Sequence, residues 1–294
     1  MTKTLESASL RADYIQIMRA RGEKRPPERL VAHYVLERDL ARRIREAPSL
    51  DRARIYTEVY DQLFNALPDH PQHEKKNRPG ARPVQHSLRY LSPFFSKEAT
   101  YLEIGCGDAA VSVAAAASVR QAIAVDVQDK LLDDGPHPPN FRFVKLQNGT
   151  QLPFDSSTID VCSSDQLIEH LHPDDVLVHL QEVVRILKPG GLYICTTPSA
   201  LTGPHDISTY FGFVANGLHI KEYNYRDLSV LFVTAGFKRL RLAIRAFGRQ
   251  VLLPISLGIL AEKCFSSFPL AIRTYLARTR AAQRLFGVNV VGVK

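Results

Sequence analysis

The stretch Tyr101-Leu-Glu-Ile-Gly-Cys-Gly-Asp-Ala109 limits the choice of fold more than any other part of the chain. A short apolar strand ends in glycines, and Ala-Val-Ser-Val-Ala-Ala-Ala-Ala follows at once, a run of small residues suited to a helix. Gly105 and Gly107 allow a tight turn and a close approach of a ligand to the backbone. The helix after them points its unpaired N–H groups toward that turn. Strand, glycine turn and helix together make a seat for a nucleotide-like ligand. Alone the signal is weak, because Gly105-Cys-Gly-Asp-Ala-Ala110 also satisfies the dinucleotide fingerprint with alanine last.

From Val84 to Lys294 strand and helix patterns alternate, which predicts an α/β fold with a parallel sheet. Strands are expected at 99–104, 121–126, 141–146, 158–163 and 192–197, with further strands at 237–246 and 288–293. An amphipathic helix is expected over 173–187, where Lys188-Pro-Gly-Gly191 stops it, and another over 225–235 before Gly236. Asp126 closes the second strand, 21 positions after Gly105, where an acidic side chain accepts hydrogen bonds from ribose hydroxyls. That placement suits NAD and S-adenosylmethionine equally.

Residues 1–83 read differently, as a helical cap followed by a basic linker. Glu28 to Ala47 lacks glycine and proline, and Ser49 is an N-cap candidate for a second helix bearing Ile55, Tyr56, Val59, Tyr60, Leu63 and Phe64. Prolines and glycine within 68–83 oppose regular structure and mark the domain boundary. Lys75, Lys76, Arg78 and Arg82 fall there and read as a solvated charge run. A net charge of +8 invites anionic partners without naming one. A content of 45% hydrophobic and 23% charged residues excludes global disorder. The four cysteines, Cys106, Cys162, Cys195 and Cys264, have no paired spacing and read as reduced thiols of a cytoplasmic protein. The N-terminus has no leader-like apolar core, and no apolar run reaches the ~18 residues of a membrane span.

The motifs in order are Leu-Glu-Ile-Gly-Cys-Gly, Ala-Val-Asp-Val, Leu-Pro-Phe-Asp, Ile-Asp-Val-Cys-Ser-Ser, Glu-His-Leu, Leu-Lys-Pro-Gly-Gly and Thr-Thr-Pro. With them the chain resembles the class I, Rossmann-like, S-adenosylmethionine-dependent methyltransferases that act on small molecules. The resemblance covers residues 84–246 and the last strand, and implies a doubly wound, seven-stranded sheet. It implies S-adenosylmethionine as cofactor, with Glu103, Gly105, Cys106 and Gly107 around its methionine end. Asp126 and Val127 would lie at the ribose, Asn148 and Gly149 at the adenine, and Asp165 at the end of the fourth strand. Two positions depart from the pattern: Ala109 replaces a third glycine, and Asn148 replaces an aspartate. Some members place a divalent metal near Glu169-His170, but Gln166 stands where a further carboxylate would help, so no metal is expected.

For catalysis the candidates are His205 with its neighbour Asp206, and His170, as general bases acting on an alcohol or phenol. The expected function is transfer of a methyl group to an oxygen of a small molecule, lipid-linked or glycan acceptors included. A nucleic-acid methyltransferase is the runner-up suggested by charge. Against it, this chain has Ser163-Ser-Asp-Gln166 where such enzymes carry a proline-rich aromatic turn after the fourth strand, and no basic face interleaved with aromatics. A non-catalytic or nicotinamide-binding module is the other alternative. Residues 249–284 are expected to form a helical insertion, apolar with basic flanks, that either packs as a helical pair on the core or a second subunit or holds an amphiphilic acceptor at an anionic membrane.

Overall fold

The computed structural model describes residues 8–71, 84–132, 135–147, 150–246, 249–277 and 279–294. The chain starts with three helices, α1 (Tyr14–Arg21), α2 (Pro27–Glu46) and α3 (Ser49–Ala66). A short α4 (Val84–Leu91) leads to β1 (Thr100–Ile104), α5 (Ala110–Ala115), β2 (Gln121–Asp126), β3 (Phe141–Lys145) and β4 (Ile159–Asp165). Then come α6 (Pro173–Ile186), β5 (Leu187–Thr197), α7 (Tyr225–Ala235), β6 (Arg239–Ala246) and β7 (Arg249–Pro254). Three helices, α8 (Ile255–Ser266), α9 (Leu270–Ala277) and α10 (Arg280–Phe286), precede β8 (Val288–Val293).

The strands form one sheet in the order β3-β2-β1-β4-β5-β8-β6-β7. The first five are parallel, and β8 runs antiparallel between β5 and β6. The order reverses between β1 and β4, and ligands of doubly wound sheets bind at the carboxyl end of such a point. The sheet has eight strands instead of the expected seven. Residues 249–254, expected inside the helical insertion, form the edge strand β7, paired antiparallel with β6 from Arg241↔Pro254 to Ala246↔Arg249. Pro254 sits at the strand's end, where its missing N–H costs no ladder bond. Ser49 is the first helical residue of α3 instead of its cap; Pro48 holds the cap position. The linker cations Lys75, Lys76, Arg78 and Arg82 lie outside the described residues.

The cap is built into the core. Leu40, Ile44, Tyr56, Val59 and Leu63 of α2 and α3 belong to the same buried cluster as Leu102, Ile123, Val176 and Tyr193 of the sheet and its helices. A buried ion pair fixes the contact: Arg52 of α3 donates from Nε and Nη2 to the two oxygens of Asp175 on α6, at 2.8 and 2.7 Å. Tyr56 donates to the same carboxylate and accepts the His172 N–H. Removing one partner of a buried pair leaves the other charge uncompensated, at about 3–5 kcal/mol. Asp175→Ala is therefore expected to lose about that much unfolding free energy in urea titration. A loss of less than about 1 kcal/mol contradicts a cap anchored by this pair.

Among the described residues no helix is long and apolar enough to cross a membrane. In the insertion Phe265 packs with Ala282 and Phe286, while Leu257, Leu260, Phe268 and Ile272 stay exposed.

Candidate active site

The glycine turn after β1 adopts the backbone its residues were read to permit. Gly105 and Gly107 have φ of 71° and 56°, and a Cβ on Gly105 would stand 3.0 Å from the Leu167 side chain. Ala109 also lies in the left-handed region, at φ 56°, a conformation that strains a residue with a Cβ by about 1–2 kcal/mol. Glu103 is buried and accepts from the Ser112 N–H and hydroxyl at the start of α5. Burial first, and then the nearby Asp165 charge, push Glu103 up to about 8.

Asp126 accepts from the Gly107 N–H at 2.9 Å and the Gln128 N–H at 3.0 Å, which holds the turn against the end of β2. Burial raises its pKa. The Gly105 and Cys106 amides donate to the Val125 carbonyl. Gln128 reaches the cap through the Thr57 carbonyl at 3.2 Å, and its Oε1 is buried with no hydrogen-bond partner among the described residues. Asn148 and Gly149 lie outside the described residues.

Above this turn opens a cavity of about 2690 Å³. Glu103, Gly105, Cys106, Gly107, Asp126, Val127 and Asp165 line one wall. His170, His205, the 196–205 segment and residues of α1, α3, α9 and α10 line the rest. The structure thus brings the described cofactor-side residues and two of the three catalytic candidates to one space.

His170 is oriented by its second nitrogen. Its Nδ1 bonds the Leu218 carbonyl at 2.9 Å, so the proton sits on Nδ1 and the lone pair on Nε2. Burial first, and then the cationic neighbour His219, drop its pKa to about 3. Glu169 is fully buried; its Oε2 accepts from the Thr197 hydroxyl at 2.8 Å, and its Oε1, 4.0 Å from His170 Nε2, has no hydrogen-bond partner among the described residues. Burial pushes it up to about 7.

His219 meets Glu222 at 2.8 Å. Burial opposes its charge, but the Glu222 bond and the Glu169 and Asp206 charges outweigh it and raise the pKa to about 9. Stability from a raised histidine is fully present below its ordinary value of 6.5 and lost as pH rises through about 9. The melting-temperature gap between the wild type and His219→Gln is therefore expected to be largest at and below about pH 6.5 and to shrink as pH rises through about 9. A gap that widens with pH contradicts this assignment.

His205 and Asp206, adjacent in sequence, have different tasks. The His205 imidazole meets the Thr202 hydroxyl at 3.0 Å and its backbone N–H donates to Glu222. Asp206 accepts from the backbone amides of Ser208 and Gly217, at 2.9 and 2.8 Å, and so caps a short turn. The geometry thus corrects the pairing that adjacency suggested.

Glu169, His170 and His219 each offer one ligand atom within 4.8 Å of the others, as do His33, Glu37 and His70. In the second group both His33 nitrogens are engaged, since Arg25 donates to Nδ1 and Nε2 donates to Glu37. In the first, the charge of His219 competes with any cation. The residues that sequence reasoning missed are Glu37, Leu218 and Gln128. Glu37 accepts the Leu218 N–H at 3.0 Å, and the same Leu218 orients His170 through its carbonyl. Burial opposes its ionisation, yet the bonds from His33 and Leu218 hold Glu37 down at about 2. Its signal was available: His33 and Glu37 fall on the buried stripe of α2 with Leu30, Leu40 and Ile44.

Residues 102–195 match a family model described as a methyltransferase domain. A Mycolicibacterium smegmatis protein named "probable S-adenosylmethionine-dependent methyltransferase" is 30% identical over 139 residues, 47% of this chain and 51% of that protein. A Mycobacterium tuberculosis protein of the same description is 31% identical over 136 residues, covering 46% and 47%. A demethylmenaquinone methyltransferase of Staphylococcus carnosus is 28% identical over 163 residues, covering 47% and 67%. The chain spans about half the length of the two mycobacterial relatives.

Among solved structures, Haemonchus contortus phosphoethanolamine N-methyltransferase 1, with phosphoethanolamine and S-adenosylhomocysteine, superposes with TM-score 0.54 at 15% identity. That match covers 82% of this chain and 49% of the other. A Haloferax volcanii complex with the Trm112 methyltransferase activator gives TM-score 0.54 at 18% identity, over 78% and 96%. Identities this low speak for the fold alone. The family model, the sequence relatives and the fold agree with the resemblance drawn from the motifs, and residues 102–195 carry a methyltransferase domain like that of the S-adenosylmethionine-dependent relatives.

Proposed function

We propose that this chain transfers a methyl group from S-adenosylmethionine to an oxygen of a small-molecule acceptor, held between the glycine turn and the helical cap. Charge is the observation that carries this reading. Glu103, Asp108, Asp126 and Asp165 line the turn's wall, while the Gly105, Cys106 and Gly107 amides are given to Val125 and Asp126. A dinucleotide pyrophosphate needs free amide donors and would meet four carboxylates. A ligand with a sulfonium and an ammonium group suits the same wall. A cation beside Glu103 would favour the carboxylate that burial disfavours, and the unpartnered Gln128 Oε1 fits a hydroxyl or amino donor.

When bound, S-adenosylmethionine supplies a methyl group on a cationic sulfur, open to in-line displacement. Asp126 would hold the ribose, and Glu103 with the glycine turn would hold the methionine end. His170 Nε2 would take the proton from the acceptor oxygen as that oxygen displaced sulfur from the methyl carbon, the carbon–sulfur electron pair remaining with sulfur. Leu218, itself held by Glu37, fixes the ring through its Nδ1. His205 shapes the acceptor wall.

The acceptor class rests on the size of the cavity and on a relative named as a demethylmenaquinone methyltransferase. Free cysteines, three of them buried, agree with a cytoplasmic site of action. Contact with an anionic membrane has no support beyond the exposed apolar residues of the insertion. Incubation with S-adenosylmethionine labelled in its methyl group and extracts of the source cell tests the reading. Mass spectrometry is expected to find the label on oxygen in one small molecule. Label in nucleic acid alone contradicts it.

A further inference from the structure

Among the described residues three arginines line the cavity, and they are not alike. Arg11 is paired with Asp13 at 2.9 Å and donates to the Gly212 carbonyl at 3.0 Å. Arg21 donates to the Pro204 and His205 carbonyls, both at 3.3 Å. Arg273 of α9 is half-buried, and its Nε is sequestered from solvent with no hydrogen-bond partner among the described residues. A guanidinium is always charged, and a sequestered donor without an acceptor is costly, so such a group implies an acceptor that arrives with a ligand.

The insertion supplies no internal partner. Glu262 is the one acidic residue between 249 and 294, and it accepts from the Tyr225 and Arg226 amides. Of the same insertion, Phe265, Ala277, Gln283 and Leu285 also line the cavity, and Leu201 packs with Phe265 and Ala277. The carboxylates Glu103, Asp126 and Asp165 lie along the glycine-turn wall. One wall of the space is thus acidic and suited to a cationic cofactor, and another is mostly apolar and carries a guanidinium whose Nε has no acceptor among the described residues.

We propose that Arg273 is a specificity-determining residue that binds an anionic group, carboxylate or phosphate, on an otherwise apolar methyl acceptor. The planar guanidinium meets either anion through paired N–H donors, and the apolar wall takes the hydrocarbon body. This inference rests on the proposed methyltransferase reading.

Its test uses the full chain saturated with S-adenosylhomocysteine and three probes of equal length: octyl phosphate, octanoate and octanol. Calorimetry is expected to show at least one anion binding about 10- to 100-fold tighter than octanol, the loss of a charge-assisted bond converted to affinity. The better anion names the headgroup. Arg273→Gln should bring the anions down to the octanol level with S-adenosylhomocysteine affinity unchanged, and Arg273→Lys should restore part of the difference. Equal binding of the three probes by the wild type, or anion affinity unchanged in Arg273→Gln, overturns the assignment. Failure of the wild type to bind S-adenosylhomocysteine would instead overturn the methyltransferase reading, so the two are told apart.

Discussion

His170→Ala is expected to lower turnover by about a hundred- to ten-thousand-fold, the usual share of a positioned general base, while S-adenosylhomocysteine binds as in the wild type. The expectation follows from its nitrogens: one is fixed on the Leu218 carbonyl at 2.9 Å, and the other carries a lone pair beside the cavity. Two further measurements separate the base from its rivals. Leu218 takes its position from Glu37, so Glu37→Gln should lower kcat with little change in KM. Dialysis against a chelator should leave wild-type turnover intact. A loss on chelation that an added divalent ion restores would move the proposal from a base to a metal held by Glu169, His170 and His219. Near-normal turnover in His170→Ala would leave His205, or positioning alone, as the source of the rate.

Asp126→Ala is expected to weaken S-adenosylhomocysteine binding by about 10- to 100-fold, since one charge-assisted hydrogen bond carries roughly 1.5–3 kcal/mol. The same carboxylate holds the Gly107 and Gln128 amides, so the empty turn also loses its tie to β2. Asp126→Asn, which keeps an acceptor and drops the charge, should fall between the two. Calorimetry on the three proteins reads this directly, with thermal unfolding as a check on the fold. Equal affinities would remove Asp126 from the cofactor site.

The parallel half of the sheet was legible because each buried strand is a short apolar run bounded by turn residues, as at Gln121–Asp126 and Ile159–Asp165. The edge was not. Val251-Leu-Leu-Pro reads equally as the start of an apolar helix, and only pairing with β6 decides it. The glycine-turn half of the site was legible for a similar reason: Glu103, Gly105, Gly107 and Asp126 sit in two nearby strands and the turn between them.

The acceptor half is assembled across long sequence distances. Glu37 meets Leu218, 181 positions away, and Arg52 meets Asp175, 123 positions away, contacts that no local pattern encodes. Adjacency misled in the same region. His205 and Asp206 look like a pair, but the carboxylate takes the Ser208 amide two residues on, as aspartate at a turn commonly does. Ala109 in a left-handed conformation shows a further limit, because the strain at a motif position is visible only in the backbone.

The central claim is that the carboxylate-lined turn seats a sulfonium ligand and not a pyrophosphate. Calorimetric titration of the full chain with S-adenosylhomocysteine and, separately, with NAD tests it most directly. The expected result is one molecule of S-adenosylhomocysteine bound per chain and no heat of binding with NAD. Saturable NAD binding, or a chain that leaves S-adenosylhomocysteine unbound, contradicts it.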